Sequence, residues 1–339
     1  MSHTNFVVSG LSAYIEQSKD LLIKNVMFGK GSRERMSIQT GVKFKEHLHI
    51  FDVNPAFGSG ADCGFTAAGT ATLTERLIEV APLVVNMELC PKNLVGKYAE
   101  YEVVTNAQEN PLPFEEYLMN GIVDGINRNI DTMIWLGDKS ATSDPVKKWI
   151  DGLIKIAQTS VTGSTGVTGV SIASGKTAYE GILAVYNALP ENVLERGGEI
   201  YVSPAIFRSF MQDMVAQNFY HYNPGNENPG EFLLPGTDVK VVKVAGLAGS
   251  LKILGTYAKN LVYGTDGQND EEIADAWFSQ DDRTWKIDIE WKSGVQIAFL
   301  DQCVLGTFAA TPAAAPAVAS ILADVHNTTK HSLNSTATA

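Results

Sequence analysis

Residues 111–155 read PLPFEEYLMNGIVDGINRNIDTMIWLGDKSATSDPVKKWIDGLIK: a long helix closes on Trp-Leu-Gly-Asp, crosses a polar loop to a proline and enters Asp-Gly-Leu-Ile. Pro111 and Pro113 set an extended entry that suits a first helical turn, and Glu115 and Glu116 put negative charge where the helix dipole is positive. Phe114, Leu118, Ile122, Ile126, Ile130 and Ile134 recur at every fourth position, while Asp124, Arg128 and Asp131 point elsewhere. At about 3.6 residues per turn this stripe is continuous but rotates slowly, as suits a helix that lies across a sheet and touches several elements in turn. Gly121 and Gly125 have the small-xxx-small spacing of membrane helices, but the charges within the segment exclude a span, so close backbone approach to a neighbour is the expected reason for them.

On the N-terminal side, Leu11, Tyr14, Ile15, Leu21, Leu22 and Val26 follow helical spacing, and the polar run from Phe28 to Arg35 ends that helix, which reads as a detached arm. Between Met36 and Val80, extended runs such as HLHIFDV and TATLTERLIEV flank the Gly- and Ala-rich residues 54–69, the pattern of a long hairpin loop with little core of its own. Beyond the long helix, a Thr/Ser/Gly tract at 160–175 leads into a mixed α and β lobe. There Thr177 and Glu180 form a capping box, EIYVS at 199–203 is a buried strand, and Ser203 caps a helix with Pro204 at its first position. DVKVVKV, LKILG and NLVYG are short strands. Trp285, Ile287, Ile289 and Trp291 alternate with polar residues, and after a turn expected at Ser293-Gly294 the pattern resumes at Val295, Ile297 and Phe299, predicting an antiparallel hairpin. From Ala309 the chain is Ala-, Thr- and Pro-rich and reads as a weakly ordered tail.

Composition narrows the function classes. A chain of 339 residues, 45% hydrophobic and 19% charged, can bury a sizeable core without disulfides. Cys63, Cys90 and Cys303 are odd in number and lack metal-ligand spacing, so they read as reduced structural thiols of a protein folding in the cytoplasm. No export signal and no membrane span is encoded. A formal net charge of −12 without a basic cluster argues against tight nucleic-acid binding, and permits a container that holds DNA without gripping it.

No catalytic, cofactor or metal site is expected. Gly175-Lys176-Thr177 matches the end of a phosphate-binding loop, but Val170 stands where the pattern needs glycine, with Gly169 one place off. His47 and His49 share one strand face, yet no third ligand has diagnostic spacing. Residues 266–272, beginning Asp266-Gly, resemble a calcium loop in composition only. No GxSxG elbow or paired-carboxylate signature is present.

The order of arm, extended hairpin loop, long helix ending in Trp135-Leu-Gly-Asp138, mixed lobe with strand-Ser203-Pro204-helix, and closing β-hairpin resembles the major capsid proteins of tailed phages over about nine-tenths of the chain. The stretch TLTERLIEVAPLVVNMELCPKNLVGKY at 72–98 is similar to capsid proteins of phages infecting gut Bacteroidales. The resemblance implies an α+β, Hong Kong 97-like fold: an arm at 1–35, an extended loop at 36–80, a peripheral domain at 81–160 with 270–308, an axial domain at 161–269, and a tail at 309–339. It further implies self-assembly through pentamers and hexamers into an icosahedral head around double-stranded DNA, with a separate scaffolding protein or none, and with a portal and decoration proteins as further partners. Phe57, Phe65, Ile122, Ile126, Trp135 and Asp138 are the expected assembly residues. Only about 35 residues precede the extended loop, so the long scaffolding segment of many relatives is not expected in this chain, and no Lys/Asn crosslinking pair can be placed. Two rivals stand beside this expectation: an encapsulin-like compartment shell, told apart by an enzyme cargo instead of DNA, and an α/β enzyme using the Gly175-Lys176-Thr177 region, told apart by nucleotide binding.

Overall fold

Helix periodicity and strand alternation both appear in the computed structural model, which describes residues 10–29, 31–57, 69–90, 114–161, 166–217, 230–266 and 273–313. In chain order the elements begin with helix α1 (Gly10–Phe28), strands β1 (Ser37–Thr40), β2 (Lys45–Pro55), β3 (Gly69–Glu79) and β4 (Ala81–Leu89), the long helix α2 (Phe114–Leu136) and helix α3 (Leu153–Thr159). Then come β5 (Thr168–Ile172), α4 (Ala178–Ala188), α5 (Glu191–Glu195), β6 (Glu199–Val202), α6 (Pro204–Ala216), β7 (Glu231–Leu233), β8 (Lys240–Lys243) and β9 (Lys252–Thr256). The last strands are β10 (Leu261–Thr265), β11 (Ile273–Ser279), β12 (Thr284–Ile297) and β13 (Val304–Phe308). Among the described residues no helix is long and apolar enough to cross a membrane. The chain divides into two compact units, Met1–Ile156 with Lys259–Phe299, and Ala157–Ala258 with Leu300–Ala339.

The first unit is organised by β12, a single strand of 14 residues. Its first part pairs antiparallel with β11 on one side and with all nine residues of β4 on the other. Its last part pairs with β10, to which β1 adds in parallel. The expected turn at Ser293-Gly294 is therefore a correction. Gly294 sits within the strand because the end of β3 crosses it there: a Cβ on Gly294 would lie 2.2 Å from the carbonyl oxygen of Glu79. A glycine that reads locally as a turn is, in three dimensions, the point where two backbones touch.

The helix α1 is not detached. Ile15, Leu22, Ile23, Val26 and Met27 are buried, and the helix packs on β11, β12 and α2 within the same unit. In α2 the expected stripe holds from Ile126 onward, where Ile126, Ile130, Met133 and Ile134 are buried. Towards its N-terminus the buried positions are instead Met119 and Val123, and Leu118 and Ile122 are only half-buried. Asp131, expected to point away, is also buried.

The second unit carries a six-stranded sheet in the order β5-β13-β9-β6-β8-β7, with α4 and α6 packed side by side against it. The capping box is present at Thr177 and Glu180, and the Ser203 side chain accepts from the Ile206 amide. Strand pairing exchanges two segments relative to the expected division. Residues 261–265 belong to the first unit's sheet, and 304–308 to the second, because β10 pairs with β12 whereas β13 pairs with β5 and β9.

Two glycines give opposite outcomes on substitution. Gly294→Ala forces a methyl against the Glu79 backbone and should destabilise the protein by about 1–3 kcal/mol, whereas Gly121→Ala, whose Cβ would meet nothing within 4 Å, should stabilise it by up to about 1 kcal/mol through helix propensity. Urea unfolding of both variants measures the difference.

Candidate assembly surface

The Trp-Leu-Gly-Asp sequence at the end of α2 is a backbone clamp. Gly137 and Gly152 are pressed together: a Cβ on Gly152 would lie 2.6 Å from the Gly137 nitrogen, and the Gly152 amide donates to the Gly137 carbonyl at 2.9 Å. The Asp138 amide donates to Lys147 at 2.8 Å, and the Asp138 carboxylate accepts from the Ser140 amide and hydroxyl and from Lys155 Nζ. Those bonds, led by the Ser140 hydroxyl, hold its carboxyl below the usual carboxylate range. Asp138 thus locks the turn that leads into α3.

One helical turn earlier, a polar cluster that no sequence pattern announced joins α1 to α2. Trp135 is wholly buried and its indole N–H donates to Ser32 Oγ at 2.7 Å, while the Ser32 amide donates to Asp131 Oδ1 at 3.2 Å. Arg33 is 2% exposed; it donates to the Val26 and Met27 carbonyls at the end of α1 and to Asn127 Oδ1 at 2.6 Å, and its guanidinium lies 5.9 Å from the centre of the Tyr263 ring. In sequence Arg33 belongs to a polar, Gly-containing turn, where nothing local marks it as buried.

The hairpin of β2 and β3 keeps an 11-residue register from Lys45↔Glu79 to Pro55↔Gly69. Its base is fixed. Ile78 and Val80 are buried with Val42 and Val262, the Val80 amide donates to Phe44, Gln296 donates to the Leu77 carbonyl, and Arg76 donates to Gln296 Oε1. Glu79 bridges Lys45 at 3.5 Å and Lys139 at 3.2 Å; the Lys139 bond, first among its partners, lowers its pKa. The rest of one face is uncovered. Phe51 and Leu73 are 65% and 62% exposed, Val53 and Leu77 are exposed beside them, and Phe57 is fully exposed.

A second apolar feature of this unit is a groove of about 630 Å³ between β4 and the first half of α2, lined by Val85, Met87, Leu89, Leu118 and Ile122. Gly121 and Gly125 face its open space, so the close backbone approach expected of them is not made among the described residues.

The structure brings the expected assembly residues to three places. Trp135 and Asp138 lie at the clamp, Ile122 and Ile126 line the groove, Phe57 lies beyond the end of β2, and Phe65 falls outside the described residues. Trp135 and Ile126 are both buried in their own unit, as the apolar stripe of an amphipathic helix implies.

The chemical candidates are occupied otherwise. Gly169 and Val170 lie inside β5, Lys176 pairs with Glu180, and Thr177 caps α4. The buried Asp213 carboxylate accepts from the Tyr179 amide at 2.9 Å, filling the helix N-terminus where a phosphate would sit. Asp266 is buried in an ion pair with Lys292 at 3.0 Å, and residues 267–272 lie outside the described residues. His47 and His49 both turn to Glu75, and among the described residues no group of three or more His, Cys, Asp or Glu side chains can hold a metal.

No protein-family model and no curated protein matches the chain. Among solved structures, it is similar to a chain of the satellite phage P4 procapsid that includes the size determination protein, with a TM-score of 0.54 at 15% identity over 86% of this chain and 98% of that one. It is also similar to the capsid of an empty GTA particle, at 0.52 and 11% over 83% and 90%, and to the mature capsid of bacteriophage PhiM1, at 0.51 and 11% over 83% and 87%. The chain has the α+β fold of tailed-phage capsid proteins.

Removing the Arg33 guanidinium leaves two buried carbonyls short of donors, so Arg33→Ala should cost at least about 2 kcal/mol, and Trp135→Phe, which removes one bond, about 1 kcal/mol, both read from urea unfolding. The Glu79 pair is half-exposed, and its effect is smaller. Because the folded state lowers the Glu79 pKa, its contribution is present above the unfolded value and is lost as pH falls through the folded one. The stability gap between wild type and Lys139→Met should therefore be open at neutral pH and closed in acid; comparing the two urea midpoints across that range checks it.

Proposed function

We propose that the chain is the major capsid subunit of a tailed phage, a non-catalytic protein that assembles through pentamers and hexamers into an icosahedral shell enclosing double-stranded DNA. The observation that carries the reading is the hairpin, a two-stranded ribbon rooted in a buried core yet bearing exposed apolar side chains, Phe51, Val53, Leu73 and Leu77, on a face that nothing in the described subunit covers. Two-stranded ribbons are marginal alone in water, and exposed apolar patches of this kind mark contact surfaces. A neighbouring copy is the natural cover. The capsid fold supports the same reading, and the net charge of −12 suits a wall that encloses DNA without adhering to it.

In this reading Phe57 and Ile122 contact neighbouring copies, while Trp135 and Asp138 shape the subunit from within. A separate scaffold, a portal and decoration proteins are the further partners, the virion is the destination, and assembly takes place in the host cytoplasm. The division into arm, extended loop, peripheral and axial domains belongs to the same proposal, with β10 and β13 exchanged as the pairing requires. The similarity to phages of gut Bacteroidales rests on residues 72–98 and is tested by the host range of a phage carrying this gene.

The double variant Phe51→Ser/Leu73→Ser removes exposed side chains, so its folded stability should stay within about 0.5 kcal/mol of wild type by urea unfolding. It should nevertheless fail to form pentamers, hexamers or closed particles in sedimentation velocity and electron microscopy. Ile126→Asp, which buries an unpaired charge, should instead misfold. Normal particles from the double variant would overturn the proposal.

A further inference from the structure

The uncovered hairpin face carries a titratable cluster that the capsid reading does not use. His49 and Glu75 are direct cross-strand partners, and His47 stands two residues away on the same face. The two imidazoles stack with centroids 6.5 Å apart and share one carboxylate: His47 Nδ1 lies 3.2 Å from Glu75 Oε2, and His49 Nδ1 lies 3.4 Å from Glu75 Oε1. Phe51 and Leu73 flank the cluster towards the hairpin end and Leu77 towards the base, so whatever covers the apolar strip also covers the cluster. Few other charges face it. Lys45 and Lys139 both pair with Glu79 at the base of this face, leaving one net positive charge there, and Glu46 and Arg76 lie on the opposite face. From β12, which packs against β3, the residue in contact is the neutral Gln296, and Lys292 of that strand is held by Asp266.

We propose that His47, Glu75 and His49 form a proton-operated contact on the docking face of the hairpin, so that association between copies of this chain tightens as the imidazoles take up protons. The inference rests on the capsid reading, because it needs the face to be covered by a second copy. With both rings neutral, the cluster brings one carboxylate charge to a surface that must meet a molecule of net charge −12. One proton neutralises the cluster and a second makes it cationic, turning repulsion from an acidic neighbour into attraction. A carboxylate paired with one imidazolium donor also enters a contact with its charge balanced. Histidine is the side chain that ordinarily changes charge between about pH 5 and 8. By linkage, each proton taken up on association raises the association constant up to about tenfold per pH unit.

The test measures association of the full chain by sedimentation velocity and light scattering from about pH 8 to about pH 5.5, for wild type, for His47→Gln/His49→Gln and for Glu75→Gln, with circular dichroism to confirm folding. The wild-type constant should rise at least about threefold more per pH unit than that of the double variant, which retains the other titratable groups as an internal control. The Glu75→Gln protein, which lacks the carboxylate charge at every pH in the range, should associate more tightly than wild type at the upper end. Parallel pH profiles for wild type and the double variant would overturn the switch while leaving the capsid reading in place. A wild-type chain that associates at no pH would overturn the capsid reading and the switch with it.

Discussion

The first unit depends on one buried guanidinium. The last carbonyls of a helix have no partners within it, and at the end of α1 these carbonyls are taken out of water by packing against the sheet and α2. Arg33 satisfies two of them at once and reaches Asn127 on α2 with the same planar group, a geometry that the single point of a lysine ammonium cannot match. Its outer face lies against Tyr263 of β10. Helix α1, helix α2 and the sheet therefore meet at one side chain, with Ser32, Trp135 and Asp131 closing the polar network around it. A buried network of this kind is stabilising only when every member is satisfied, which makes the junction intolerant of partial change.

Much of this architecture was legible in the sequence where local periodicity and tertiary burial agree. The second half of α2 shows its stripe because Ile126, Ile130, Met133 and Ile134 are all buried there, and the caps at Thr177 and Ser203 are local bonds that sequence spacing determines directly. The misreadings share one cause: a residue whose role is set by a distant partner. Gly294 resembled a turn because its reason for lacking a side chain is Glu79, more than two hundred positions away in the chain. The arm looked detached because Arg33, which fastens it, sits in a run that is polar in every local sense. Leu118 and Ile122 keep the apolar spacing but lose the burial, since β4 leaves a groove beside them and not a packed layer.

The candidate assembly face was legible in outline and not in chemistry. An alternating pair of strands around a Gly-rich centre announces a hairpin, but the sequence alone does not say which face the sheet covers. Register decides it: Ile50 and Ile78 fall on the inner side, and Phe51, Leu73 and both histidines on the outer. Glu75 acquires its place between the two rings only through that pairing.

Strands β3 and β4 are separated only by Val80, so residues 69–89 run as one long extended segment bent where it crosses Gly294. A pull on the hairpin is consequently delivered along the axis of β4, whose nine residues are all zipped antiparallel to β12. Load applied in that direction is shared by the whole ladder of hydrogen bonds together, in shear, and not opened one bond at a time as in unzipping. A subunit built this way resists tension where it is gripped from outside.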